Sequence, residues 1–248
     1  MSAEKPWVSG PKELLEHADE HLKAASPFDC RIALISVDNA VELSIKTYVS
    51  LPERARGVPG PSREEIRKSK FSFPKLMDLM EDHFSEKLIG IQLDDIEWYH
   101  RVRNTLYHEG NGVTVDPSTV DAYLQVARVL LRNLFKAEIS TKTPGAPHSD
   151  LGNFVLHWAS MESGARSLAD NHLEKPNAMY DPLTQVIDGL VSRDILTGSF
   201  RSRFDSLANF RNQVMHGHAT ASEAEWSHFL SEAEDLMIEV AEAQKSSA

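Results

Sequence analysis

The chain has 248 residues, 41% of them hydrophobic and 25% charged, close to globular averages, which excludes a disordered tail or a low-complexity fibre. At roughly 150 residues per domain that length makes one large domain or two small ones. Against 26 Lys and Arg stand 37 Asp and Glu, a net charge of -11, which disfavours broad coating of nucleic acid and leaves room for a local basic site.

The first ten residues carry no apolar run, so no secretory signal is expected. Pro11 followed by Leu14, Leu15, Ala18 and Leu22 predicts a helix over 11–25, because proline suits a first turn and the apolar spacing is helical. His17 and His21 stand four apart on it, a metal-ligand spacing with no third ligand beside it, so no metal is expected. A second helix over 27–51 is apolar almost all round, with Phe28, Ile32, Ile35, Val37, Val41, Ile45, Tyr48 and Val49, and is expected to lie centrally. It holds Cys30, the one cysteine, which excludes an intramolecular disulfide or an all-cysteine zinc site and implies a reducing, cytoplasmic setting. The longest strongly apolar stretch, 32–37, falls far short of the roughly 18 residues that span a bilayer, so no membrane partner is expected.

Pro52, Gly57, Pro59, Gly60 and Pro61 then predict a long loop over 52–75. It carries seven Lys and Arg against three Glu, concentrating positive charge in an acidic chain. Arg63, Arg67, Lys68 and Lys70 are its candidate RNA-binding residues. Helices follow at 73–88, 93–109 and 117–139. The stretch 140–149, with Pro144, Gly145 and Pro147, reads as a linker, placing domains at 1–142 and 149–248. Further helices are expected at 150–174, 181–196, 199–216 and 221–245, so the fold class is all-α.

Two of these helices share a pattern. Arg103-Asn104-Thr105-Leu106-Tyr107-His108 and Arg211-Asn212-Gln213-Val214-Met215-His216 both read Arg-Asn, three residues, His, each before a glycine-containing loop and a long terminal helix. Glu42 and Lys46 in the second helix are matched by Glu162 and Arg166 in the first helix after the linker. Acid and base four apart share a helix face, so each pair could hold itself together or reach the motif helix. The chain is therefore an internal repeat at domain scale, and the copies differ by the region that contains the basic segment.

These residues resemble the HEPN superfamily, small four- or five-helix domains of prokaryotic toxins, RNA-processing and defence proteins, whose signature is arginine, a polar residue, three more residues, then histidine near a helix end. The resemblance covers nearly the whole chain. It implies two tandem HEPN-like bundles packed as a pseudo-twofold intramolecular dimer, with Arg103, His108, Arg211 and His216 as catalytic residues of one composite site. Asn104, Asn212, Glu42, Lys46, Glu162 and Arg166 would support them. The implied activity is a metal-independent endoribonuclease, of toxin–antitoxin or antiviral-defence type, acting on tRNA or single-stranded RNA without a cofactor. It also leaves room for a protein partner or antitoxin and a further homodimer. Some toxins of the family carry a tyrosine two residues after the histidine; here Gly110 and His218 stand there.

The residue chemistry agrees. A guanidinium fork suits a phosphate, and an imidazole with a pKa of about 6.5 can take a proton from a ribose 2′-hydroxyl at neutral pH. Arg and His five apart lie about 140° apart around a helix and about 7.5 Å along it, so they flank one ligand only if the helix end bends or the arginine reaches around. Trp98, Tyr99 and Tyr107 flank the first motif as candidates for base stacking. No Walker loop, Gly-x-Ser-x-Gly elbow or paired-cysteine motif occurs, which removes support for the common nucleotide-hydrolase and esterase readings. The alternative function is a non-catalytic helical module that binds protein or RNA.

Overall fold

The structure, a computed structural model, describes residues 6–108, 114–137, 148–173, 181–217 and 220–246. Among them the chain is all-helical: eleven α-helices, one 3-10 turn and no strand. It divides into two compact units, 1–152 and 153–248. The expected linker falls, over 140–147, outside the described residues, as do Gly110 and His218.

The first unit opens with α1 (Pro6–Ala24), which starts five residues before the expected Pro11. The helix runs through that proline because Val8, Pro11, Leu15 and Ala18 form one buried stripe, so packing outweighs the hydrogen bond that Pro11 cannot donate. Ala25, in the left-handed region at φ 54, turns the chain into α2 (Pro27–Ser50). Ser26 caps α2 by accepting the Asp29 N–H at 3.1 Å, and Pro27 sits in its first turn. As expected, α2 is central, packing on α1 and on the later helices α5 (Phe73–Phe84), α6 (Leu93–His108) and α7 (Pro117–Phe135). One residue of its buried surface is an acid, Asp38, with no solvent exposure.

The segment 52–75 is not the simple loop that its prolines and glycines predict. It contains α3 (Glu53–Arg56) and α4 (Arg63–Ser69). Gly57 closes α3 in the left-handed conformation at φ 84, and Ser62 with Glu65 forms a reciprocal capping box that starts α4. At the end of α4, Lys70 and Phe71 are consecutive left-handed residues, at φ 49 and 54. The Ser69 hydroxyl holds this turn by accepting the Phe71 N–H at 3.1 Å and donating to the Ile66 carbonyl.

The second unit contains most of α8 (Asp150–His172) and all of α9 (Leu183–Ser192), α10 (Gly198–Val214) and α11 (Glu223–Ser246). Its core is aromatic. Phe210 stacks on Phe229 at 3.9 Å and meets the edges of Phe154 and Trp226 at 5.6 and 5.1 Å. Arg203 of α10 bridges to Glu232 and Glu239 of α11, each at 3.0 Å.

Candidate functional site

In the first unit the motif arginine turns inward. Arg103 donates its Nε–H to Asp38 Oδ2 at 2.6 Å, one terminal N–H to Asn104 Oδ1 at 2.8 Å and another to Glu42 at 3.4 Å. Lys46 pairs with the same Glu42 at 3.5 Å, so this acid–base pair both holds itself together and reaches the motif helix. Asn104 acts on its neighbour, fixing the guanidinium.

Asp38 collects more than Arg103. It accepts the Tyr123 hydroxyl at 2.9 Å from α7, and His100 Nδ1 lies 3.1 and 3.2 Å from its two oxygens. A carboxylate only accepts, so Nδ1 must carry the hydrogen and the unprotonated nitrogen of neutral His100 is Nε2. Burial, reinforced by the Asp38 charge, pushes the Tyr123 phenol well above its usual pKa, which keeps it a donor. Phe73 stacks on the His100 ring at 3.7 Å, and Lys46 Nζ lies 5.6 Å from the Phe71 ring. The end of the basic segment therefore lies against this cluster.

His108 is elsewhere. It ends α6 exposed to solvent, its ring 5.6 Å from Tyr107, itself 68% exposed. No hydrogen bond or ring contact among the described residues joins it to Arg103, which follows from the angular offset between them. Of the flanking aromatics, Tyr99 belongs to the core, stacked on Tyr123 at 4.2 Å with no exposure, and Trp98 packs edge-on against it at 4.9 Å. Arg63, Arg67, Lys68 and Lys70 are all exposed; Lys68 pairs with Glu64 at 3.0 Å.

In the second unit, Arg211 is only 4% exposed and its guanidinium carbon lies 5.2 Å from the centre of the Trp158 ring. Trp158 stands four residues before Glu162, the place Asp38 holds relative to Glu42. The two copies thus anchor the motif arginine on the same turn of the matching helix, one on a carboxylate and one on an aromatic face. Glu162 pairs with Arg166 at 2.9 Å, and Arg166 also donates to the Asp181 carbonyl at 3.0 Å. Asn212 is exposed. His216 is half-buried in the turn after α10, which Gly217 closes at φ 64.

Among the described residues no group of three or more His, Cys, Asp or Glu could hold a metal ion, and no helix is long and apolar enough to cross a membrane. The sequence reading missed Asp38, His100, Tyr123 and Trp158. The signal for two of them was present: an acid four residues before Glu42 within the buried central helix, and a histidine three residues before Arg103 on the same helix face. No protein-family model matches the chain, and no curated protein or solved structure matches it.

Proposed function

We propose that the protein is a metal-independent endoribonuclease that cuts RNA through attack of a ribose 2′-hydroxyl, with the Arg-Asn-x-x-x-His motif of each unit contributing to cleavage. The observation that supports this reading is the matched placement of the motifs. Each ends a helix, each anchors its arginine on the helix that carries the acid–base pair, and each leaves its histidine at or near the surface: His108 exposed, His216 half-buried. The histidines are suited to proton transfer and the arginines to charge on the phosphate.

The test is incubation of the chain with tRNA and with single-stranded RNA in EDTA, followed by end-group analysis. The expected products carry a 2′,3′-cyclic phosphate, or the monoester it opens to, and a 5′-hydroxyl. The His108→Ala, His216→Ala double variant is expected to lose cleavage; unchanged cleavage would remove these histidines from the chemistry.

A second reading, a non-catalytic helical module, is favoured by the internal engagement of both arginines. Arg103 is tied by Asp38 and Glu42, and Arg211 is almost wholly buried, as structural braces would be. It predicts intact RNA and a protein partner whose binding survives loss of both histidines. A toxin or defence role, and action in the cytoplasm, go with the ribonuclease reading.

A further inference from the structure

The imidazole that the structure places beside Arg103 is that of His100, not that of His108. Both His100 and Arg103 sit on Asp38, and both keep a solvent-facing edge, with 16% and 18% of their side chains exposed. His100 is stacked on Phe73 and its Nδ1 is occupied by Asp38, so its orientation is fixed and the nitrogen left for chemistry is Nε2. Arg103 uses three of its five N–H groups on Asp38, Asn104 and Glu42, which leaves two for an anion.

The surroundings differ from those of an ordinary buried ion pair. The turn that delivers Phe73 contains the consecutive left-handed residues Lys70 and Phe71, a strained conformation for side-chain-bearing residues that concentrates at functional sites. That turn brings the end of the basic segment to Lys46. In the second copy Ala208 stands where His100 does in the motif register and Trp158 where Asp38 does.

We propose that His100, oriented by Asp38, is the general base of the first unit, and that Arg103 and Lys46 receive the phosphate of a single RNA strand beside it. The proposal rests on the ribonuclease reading and specifies its base. His100 Nε2 takes the proton of a ribose 2′-hydroxyl, and the 2′-oxygen bonds to phosphorus. The bond from phosphorus to the 5′-oxygen breaks, and the 5′-oxygen leaves with a proton that a motif histidine relays from water. The resulting hydroxide takes the proton from His100, and the products are a 2′,3′-cyclic phosphate and a 5′-hydroxyl. Asp38 is a positioning residue, holding the tautomer and the ring.

The experiment uses the full chain and an end-labelled single-stranded RNA in EDTA. His100→Gln, which can still donate to Asp38, and His100→Ala are each expected to slow cleavage by about 100-fold or more, the scale of general-base catalysis. Added imidazole is expected to restore His100→Ala by about tenfold, a rescue that a purely structural histidine would not give. In the wild-type chain, a 2′-deoxy oligonucleotide of the same sequence is expected to protect His100 from diethyl pyrocarbonate. Cleavage at the wild-type rate by His100→Gln would overturn the proposal while leaving the ribonuclease reading intact. So would a folded His100→Ala that imidazole does not rescue, or a His100 that stays fully reactive under the oligonucleotide. Failure of the ribonuclease reading looks different, since the wild-type chain would then leave RNA uncut, and the role of His100 as a base would fall with it.

Discussion

Arg103 donates its Nε–H to the fully buried Asp38 at 2.6 Å, tying the motif helix α6 to the central helix α2. The same carboxylate holds His100 and Tyr123, so one acid joins three helices. In the second unit the motif arginine Arg211 lies over the Trp158 ring.

Removing that acid leaves Arg103 with the longer, part-exposed Glu42 contact as its ionic partner. Asp38→Asn is expected to lower the stability of the first unit by about 3–5 kcal/mol, the cost of breaking a buried ion pair from one side. Arg103→Met in the Asp38→Asn background is expected to return part of the loss, because the charge that has lost its buried partner is then gone. Urea unfolding of the two single variants and the double variant measures the coupling. Strict additivity of the two changes would refute the pairing.

The close approach of α8 and α11 gives a second prediction. A Cβ on Gly164 would lie 2.5 Å from Val240 Cγ1, and Val240 is buried at 1% exposure. Alanine gains about 1 kcal/mol over glycine in helix propensity, but overpacking a core contact costs about 1–3 kcal/mol, and the branched, buried valine cannot swing away. Gly164→Ala is expected to be destabilising. Paired with Val240→Ala, which opens the needed space, it is expected to become stabilising relative to Val240→Ala alone. The sign of that second step, read by denaturant midpoints, checks the packing.

How far the site could be read from the sequence follows from the distances involved. The helices were legible because their apolar residues recur at helical spacing, and the motif was legible because it occurs twice. The segment 52–75 was misread because Ser62 and Glu65 start a helix inside a stretch whose prolines and glycines dominate the pattern. Asp38 and Arg103 meet across 65 positions of chain, and no local periodicity reports such a pair. Glu42 and Lys46 were visible only because Glu162 and Arg166 repeat them. Asp38 had no such echo, since tryptophan replaces it in the second copy.

Alkaline pH probes a different part of the first unit. Tyr48 packs against the edges of Phe84 and Phe135 at 5.1 and 5.7 Å, and its buried hydroxyl has no hydrogen-bond partner among the described residues. Burial, with a smaller push from Glu86, raises its pKa to about 12. An unfolded tyrosine ionises near about 10, so this stabilisation is complete below about pH 10 and is lost as pH rises through about 12, a loss of about 3 kcal/mol at most. Tyr48→Phe removes both the unpaired hydroxyl and this dependence. At pH 7 it is expected to be neutral or stabilising by about 1 kcal/mol, and from pH 10 to 12 to lose less stability than wild type. Unfolding midpoints across that range make the comparison, and equal losses would contradict it.

Tyr107 tests whether the surface beside the first motif receives a nucleotide. At 68% exposure it is the most exposed of the large hydrophobic side chains among the described residues, and its counterpart in the repeat, Met215, is buried at 2%. So exposed a ring contributes little to stability, and Tyr107→Ala is expected to change it by no more than about 0.5 kcal/mol. Stacking of one base on an aromatic ring is worth about 1–3 kcal/mol. If the proposed ribonuclease binds single-stranded RNA across His108, Tyr107→Ala is expected to weaken that binding by about tenfold, while Tyr107→Phe, which keeps the ring, retains it. The readout is the affinity for a 2′-deoxy oligonucleotide with and without an abasic position. Equal affinities for the alanine variant and wild type would place the nucleotide away from this ring, since no loss of fold could conceal a stacking contribution at so exposed a position.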